Sequence, residues 1–317
     1  MGGNWMWMGF VIIFSVMIIG DAFLSKDTSQ PEYDYPKLLE LPLHMALPFV
    51  FVLLLSLAWS SGSEDHDFMN LGEILNGILP YDFLAARNEN GVLDYLGALL
   101  GVGYMVSGYG TVVGHDLAHR TRDKKSLIEA RWLLSASCNA DFAIEHVYGH
   151  HVTVCTKDDP ATARRGENVY AFSIRSTVMG HFSAWKHEIK NLRKKGLSIL
   201  SPKNKMITGY LMSIFWCLLF FSAGGIFGLM LFFGQAILAK FNLEVVNYME
   251  HYGLVREPHQ KVGPEHSWNT NKRMSTMVLF SLTRHSAHHE KPRRKYWKLD
   301  PYENSPEMPF GYLTTLL

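Results

Sequence analysis

Cysteine is almost missing from this 317-residue chain. The three present, Cys138, Cys155 and Cys217, form no C-x-x-C pair. That excludes a disulfide framework, an iron–sulfur cluster and a thiolate zinc site. Net charge is nearly absent too, at +1, so nothing global points to nucleic acid. No flavin or nicotinamide fingerprint occurs, and there are no internal repeats or low-complexity tracts. No secretory cleavage pattern follows the first apolar block, which reads as a retained span.

Mean hydropathy is +0.00, an average that hides long apolar blocks. Aromatic residues make up 13% of the chain, which suits helices that meet lipid and an apolar partner. The blocks predict an all-α polytopic membrane bundle, one domain over 1–317, with about five spans at 5–20, 41–60, 91–113, 207–222 and 225–246. Trp5 and Trp7 suit an interfacial belt. Glycines in the third block suit close helix packing. Met206 to Val246 is too long for one crossing, and Ser222-Ala-Gly-Gly225 marks a hairpin in its middle. Residues 126–143 are apolar but carry Glu129, Arg131 and Asp141, and are expected as an amphipathic helix lying on the membrane. The basic stretch 152–205 is expected in water, on the cytoplasmic side by the positive-inside rule. The metal-binding parts are then 114–205 and 247–317, both cytoplasmic. Parity would place Trp5 outside, so a cytosolic N-terminus requires one further span and predicts a chain trimmed at an end.

Four histidine clusters stand at the edges of these blocks and hold nine of the fifteen histidines: His115 and His119; His146, His150 and His151; His251; and His285, His288 and His289. Residues four apart share a helix face, so His115/His119 and His146/His150 can each aim two imidazoles at one point. Nine imidazoles exceed the six positions of an octahedral ion and point to two metals. Zinc normally closes with four ligands, so a redox metal that binds oxygen fits better. Asp116, Glu145 and Glu250 each adjoin a cluster histidine, and Asp141, Asp158 and Asp159 lie near. Ligating imidazoles usually pass their second ring proton to such groups. One carboxylate bridging the metals is an open alternative. His44, His66, His181, His187 and His259 read as ordinary polar residues, with His266 intermediate.

The runs His115-Asp-Leu-Ala-His119-Arg, Glu145-His-Val-Tyr-Gly-His-His151, Asn247-Tyr-Met-Glu-His-Tyr-Gly-Leu254 and Leu282-Thr-Arg-His-Ser-Ala-His-His289 resemble the integral-membrane alkane hydroxylase family, and its xylene and cymene methyl monooxygenase relatives. His266-Ser-Trp-Asn-Thr-Asn271 and Met308-Pro-Phe-Gly-Tyr312 extend the likeness over nearly the whole chain. Asn-Tyr-Met-Glu-His-Tyr-Gly discriminates best, because fatty acid desaturases lack it. Asp116, Thr283 and Ala287 depart from the usual Glu, Gln and Asp.

The resemblance implies a non-haem di-iron monooxygenase in the bacterial inner membrane, of six spans, that puts one atom of O2 into the terminal methyl of a medium-chain alkane. It implies no flavin or haem in this chain, and electrons from an acidic rubredoxin or a ferredoxin-like reductase. A homo-oligomer is compatible with it. Lys186, Lys190, Arg293, Arg294 and Lys295 are candidates to dock the donor, though such charges also set topology. Gly101, Tyr104, Gly108, Phe232 and Phe233 are candidates for the substrate pocket, or plain helix packing. Alternatives are an alkyl-aromatic methyl monooxygenase, a fatty-acyl desaturase or hydroxylase, a zinc membrane protease and a metal transporter. The protease motif needs Glu where Asp116 stands, and transport sites lie mid-membrane rather than at span ends.

Overall fold

The computed structural model describes residues 2–316. Every regular element among them is helical, and β pairing is limited to two isolated bridges. In an apolar run each backbone N–H and C=O must find a partner within the chain, which a helix provides. A 3₁₀ turn leads into α1 (Met8–Phe23), and α2 spans Leu41–Ser60 with Pro42 in its first turn, where no donor is lost. Two short helices, α3 (Leu71–Ile78) and α4 (Phe83–Asn88), follow. Then α5 (Val92–Met105) runs through a π-helical turn, Val106–Thr111, into α6 (Val112–Ala118).

After α7 (Lys124–Ser135), α8 (Phe142–Glu145) continues through a second π turn, His146–His150, into α9 (His151–Thr153). The two longest helices are α10 (Val169–Lys194) and α11 (Lys205–His251). Three short ones close the chain: α12 (Arg273–Val278), α13 (His285–Glu290) and α14 (Tyr312–Leu316).

Four helical stretches are long and apolar enough to cross a membrane: Gly3–Phe23, Pro36–Ser60, Val92–Ala118 and Lys205–His251. The last is folded in two. Gly224 and Gly225 leave helical geometry, and Gly225 has φ +58° and ψ −136°, a region that only glycine enters readily. The Phe220 and Phe232 rings then meet at 5.3 Å, although twelve residues of straight helix would separate them by about 18 Å. Both arms reach α7: Trp216 Nε1 donates to Ser135 Oγ, and Gln235 donates to the Ala136 carbonyl. This is the hairpin expected from the glycine pair, so the described residues hold five apolar segments.

Two expectations are corrected. Residues 126–143 are not one surface helix: α7 ends at Ser135, and its Ala130, Leu133 and Leu134 are fully buried in the core beside Trp216 and Leu54. The charges that suggested a surface helix are paired inside, Glu129 with His44 of α2 at 2.6 Å and Arg131 with the first turn of α11. The stretch 152–205, expected to be basic and water-facing, is not uniformly polar. It contains α10, packed on α8 and α11, and its first half exposes Tyr170, Ile174, Val178 and Phe182 at four-residue spacing. Summing charge over the whole stretch hid this apolar stripe beneath the basic C-terminal half.

Candidate metal centre

Four helix ends deliver the histidines. His115 lies on α6 and His119 caps it; His146 and His150 lie on the π turn and His151 follows it at the start of α9; His251 ends α11; His285, His288 and His289 lie on α13. The π turn matters for the second cluster. Its i→i+5 bonding widens the helix, so the fourth and fifth residues after His146 fall on either side of it. In an α-helix, His151 would swing away from the face shared by His146 and His150.

The nine form two groups, each with ligating atoms within 4.8 Å of one another: His115, His119, His146, His151 and His288; and His150, His251, His285 and His289. Nε2 atoms face each other at 2.7 Å (His115–His146), 3.0 Å (His146–His151 and His151–His288), 2.9 Å (His285–His289) and 3.2 Å (His251–His285). Neighbouring ligands on an octahedral ion lie √2 bond lengths apart, about 3.0 Å for an M–N bond of about 2.1 Å. The remaining two, His119 Nε2 and His150 Nε2, are buried with no partner. Both the crowding and the orphaned nitrogens fit a pair of ions. Burial keeps five of the imidazoles neutral and so able to ligate: His119 is pushed down to about 3, and His146, His151, His288 and His289 fall well below the ordinary histidine value.

The outward ring nitrogens are held selectively. His150 Nδ1 pairs with Asp159 Oδ2 at 2.9 Å; burial disfavours the charged ring, but the Asp159 carboxylate outweighs it and holds His150 above the ordinary value. Asp159 in turn accepts from Thr162 Oγ1. His251 Nδ1 pairs with the His266 carbonyl at 3.2 Å, with Cys155 Sγ 3.9 Å away. The His266 ring is turned to the Gly263 amide and joins neither group. Arg256 donates to the Val152 and Val154 carbonyls, tying the segment after His251 to that after His151. Asn269 accepts from the Ser286 amide and seats α13. Sequence reasoning missed Cys155 and Arg256, because one acts through its sulfur at a turn and the other through carbonyls. Arg256 sits two residues beyond the Glu250-His-Tyr-Gly-Leu run, the only signal available.

The three carboxylates beside cluster histidines separate. Glu250 Oε2 lies 3.1 Å from His285 Nε2, and Glu250 Oε1 accepts from Tyr312 at 2.6 Å. Glu145 is pushed up to about 8 by burial, with Asp159 adding to it, and its Oε1 has no partner. Asp116 turns away to Arg120 at 2.8 Å. Among the described residues no carboxylate joins either ligand group. Asp141 pairs with His181 at 2.8 Å, Asp158 is exposed, and His44 and His66 bond Glu129 and the Ser222 carbonyl.

An apolar cavity of about 430 Å³ lies between α1, α5, α11, α12 and α14, lined by Ile13, Met17, Tyr104, Gly108, Val246, Leu279 and Leu313. Its Ser107 and Val246 also line a chamber of about 40 Å³ walled by His115, His146, Glu250 and His285. Both ligand groups therefore face one chamber at the cavity's end. Of the residues expected at a substrate pocket, Tyr104 and Gly108 line this cavity. Gly101 instead packs on Gly9 and Phe10, Phe232 is buried against Phe220, and Phe233 lines a groove beside α10. Helical spacing alone could not tell which side of α5 or α11 met the opening.

Toward the surface, His151 is partly exposed, and Arg293 is exposed with its charge reaching His119. Lys186 and Lys190 are exposed on α10, whereas Arg294 pairs with Asp300, and Lys295 with Glu40 at 2.6 Å.

Fold and site together define a helical protein with helices long and apolar enough to cross a membrane, carrying two histidine groups that could each hold a metal ion beside an apolar cavity. Comparison with known proteins makes this specific. Residues 91–315 match the fatty acid desaturase family. Alkane 1-monooxygenase 2 of Pseudomonas aeruginosa is 34% identical, over 97% of this chain and 78% of its own length. Alkane 1-monooxygenase 1 of the same organism is 35% identical over the same shares. The xylene/toluene monooxygenase hydroxylase component of Pseudomonas putida is 28% identical over 100% of this chain and 79% of its own. The chain belongs to the alkane 1-monooxygenase family and is an oxidoreductase of the monooxygenase type.

Proposed function

We propose that this chain hydroxylates the terminal methyl of medium-chain alkanes to primary alcohols, using O2, two irons and electrons from a rubredoxin-type donor. The supporting observation is the apolar cavity that ends in a chamber walled by ligands of both histidine groups. An alkane is as apolar as lipid, so it enters with little desolvation cost. The narrow chamber admits only the end of a chain, which positions the methyl group.

Irons bound to the nine imidazoles supply the activation of O2. The chain's own residues prepare the centre: Asp159 and the His266 carbonyl fix ring orientation at His150 and His251. Tyr312 of the cavity wall donates a buried hydrogen bond to Glu250 of the chamber wall. We place all nine histidines on the cytoplasmic face of the bacterial inner membrane, with five crossings in this chain. His151, Arg293, Lys186 and Lys190 then face an acidic donor.

The test supplies membranes carrying the protein with rubredoxin, its reductase, and octane, dodecane or xylene. 1-Octanol and 1-dodecanol are the expected main products. Methylbenzyl alcohol in excess of both would transfer the substrate to alkyl-aromatics. No alcohol from iron-loaded protein would overturn the reading.

A further inference from the structure

We propose that the alcohol leaves by a route of its own: a polar chamber between α10 and the second arm of α11, which at rest has room for the hydroxyl head alone, parts to pass the chain into an apolar-walled groove open to lipid. This rests on the function proposed above.

The chamber, of about 20 Å³, adjoins the metal centre at His146, and its Phe142 and Asn247 also wall the substrate chamber. Two side-chain atoms at its wall are buried without partners: the donor Asn139 Nδ2, in a residue 3% exposed, and the acceptor Glu145 Oε1, in a residue 6% exposed. A buried polar atom left without a bond is costly. A hydroxyl carries one donor and acceptor lone pairs, so a primary alcohol can partner either atom. An alkane satisfies neither. Among the described residues, the entry cavity's wall holds one unpartnered donor, Asn242 Nδ2, and no unpartnered acceptor.

Asn139, Asp141, Thr177 and Lys240 also form the floor of a groove of about 630 Å³. Its outer walls are Ile174, Val178 and Phe182 from α10, facing Phe233, Ile237 and Phe241 from α11. Ile174, Phe182 and Ile237 are 70%, 68% and 68% exposed, continuous with the apolar outer face of α11. Polar floor and apolar walls match an amphiphile with one hydroxyl head. Polarity thus rises from the entry cavity to the chamber and splits into head and tail surfaces in the groove, as the substrate's own polarity does on oxidation.

Gly180 lines the chamber, and a Cβ there would meet Glu145 Cγ at 3.8 Å, an ordinary contact. Gly180→Ala on α10 therefore folds at least as well as the parent, while Gly180→Leu fills the passage. Iron-loaded protein in nanodiscs is compared in a single turnover and at steady state on dodecane. For Gly180→Leu we expect an unchanged first-turnover yield with steady-state rate down about tenfold, because release becomes limiting. Asn139→Leu falls in the same direction. Steady-state rates equal to wild type in both, or a first-turnover loss as large as the steady-state loss, would overturn the route.

Photolabelling gives a readout without turnover. 1-Dodecanol with a tail diazirine should label 169–182 and 233–241, and the matching alkane 104–109 and 277–280. Identical labelling by the two probes overturns the route. Failure of the proposed function is separate: wild type would then make no alcohol even in one turnover.

Discussion

At His150 the two ring nitrogens have separate tasks: Nδ1 is held by Asp159 and Nε2 is left bare toward the centre. Removing that hold with Asp159→Ala lets the ring turn, and we expect iron affinity to fall roughly 10–100-fold, with Asp159→Asn intermediate because its amide oxygen still accepts. Iron titration of the purified variants measures this. His251 belongs to the group of four, so His251→Ala should reduce bound iron from two per chain toward one and abolish hydroxylation. Full activity with two irons retained would remove His251 from the ligand set. The nine positions were legible because residue type and four-residue spacing are local properties. What holds them was less so. The Asp159 carboxylate could be named as a candidate, but the His266 carbonyl depends on how a 15-residue loop folds back, and the Arg256 clamp on segments 102 residues apart meeting.

Among the elements, the hairpin of α11 was visible as an apolar run too long for one crossing with a glycine pair at its centre. Gly225 adopts a conformation closed to a branched side chain, and a Cβ at Gly224 would lie 2.6 Å from the Ser61 carbonyl oxygen. We expect Gly225→Val to destabilise the bundle by about 1–3 kcal/mol, seen as a lower melting temperature in detergent with the product unchanged on the folded fraction. The π turn at His146–His150 was not legible, since no residue type signals an i→i+5 register. The apolar stripe of α10 was obscured by its basic neighbours, whereas the four-residue period of Tyr170, Ile174, Val178 and Phe182 carried the signal.

For the molecule as a whole, hydrocarbon and electrons have to arrive from opposite surroundings. The apolar cavity opens among α1, α5 and α14, while the partly exposed His151 and the Arg293 cation lie at the basic surface. Arg293→Glu should raise the KM for an acidic donor about tenfold at low ionic strength, with the difference shrinking as salt rises. An unchanged KM would place docking elsewhere. The cavity, and the groove proposed as an exit, could not be read from the sequence because they lie between helices far apart in the chain.

Convergence of imidazoles from four separated segments on two ions is tested most directly by the metal content of the purified protein in nanodiscs. Two irons per chain are expected. One zinc per chain with no iron would contradict it.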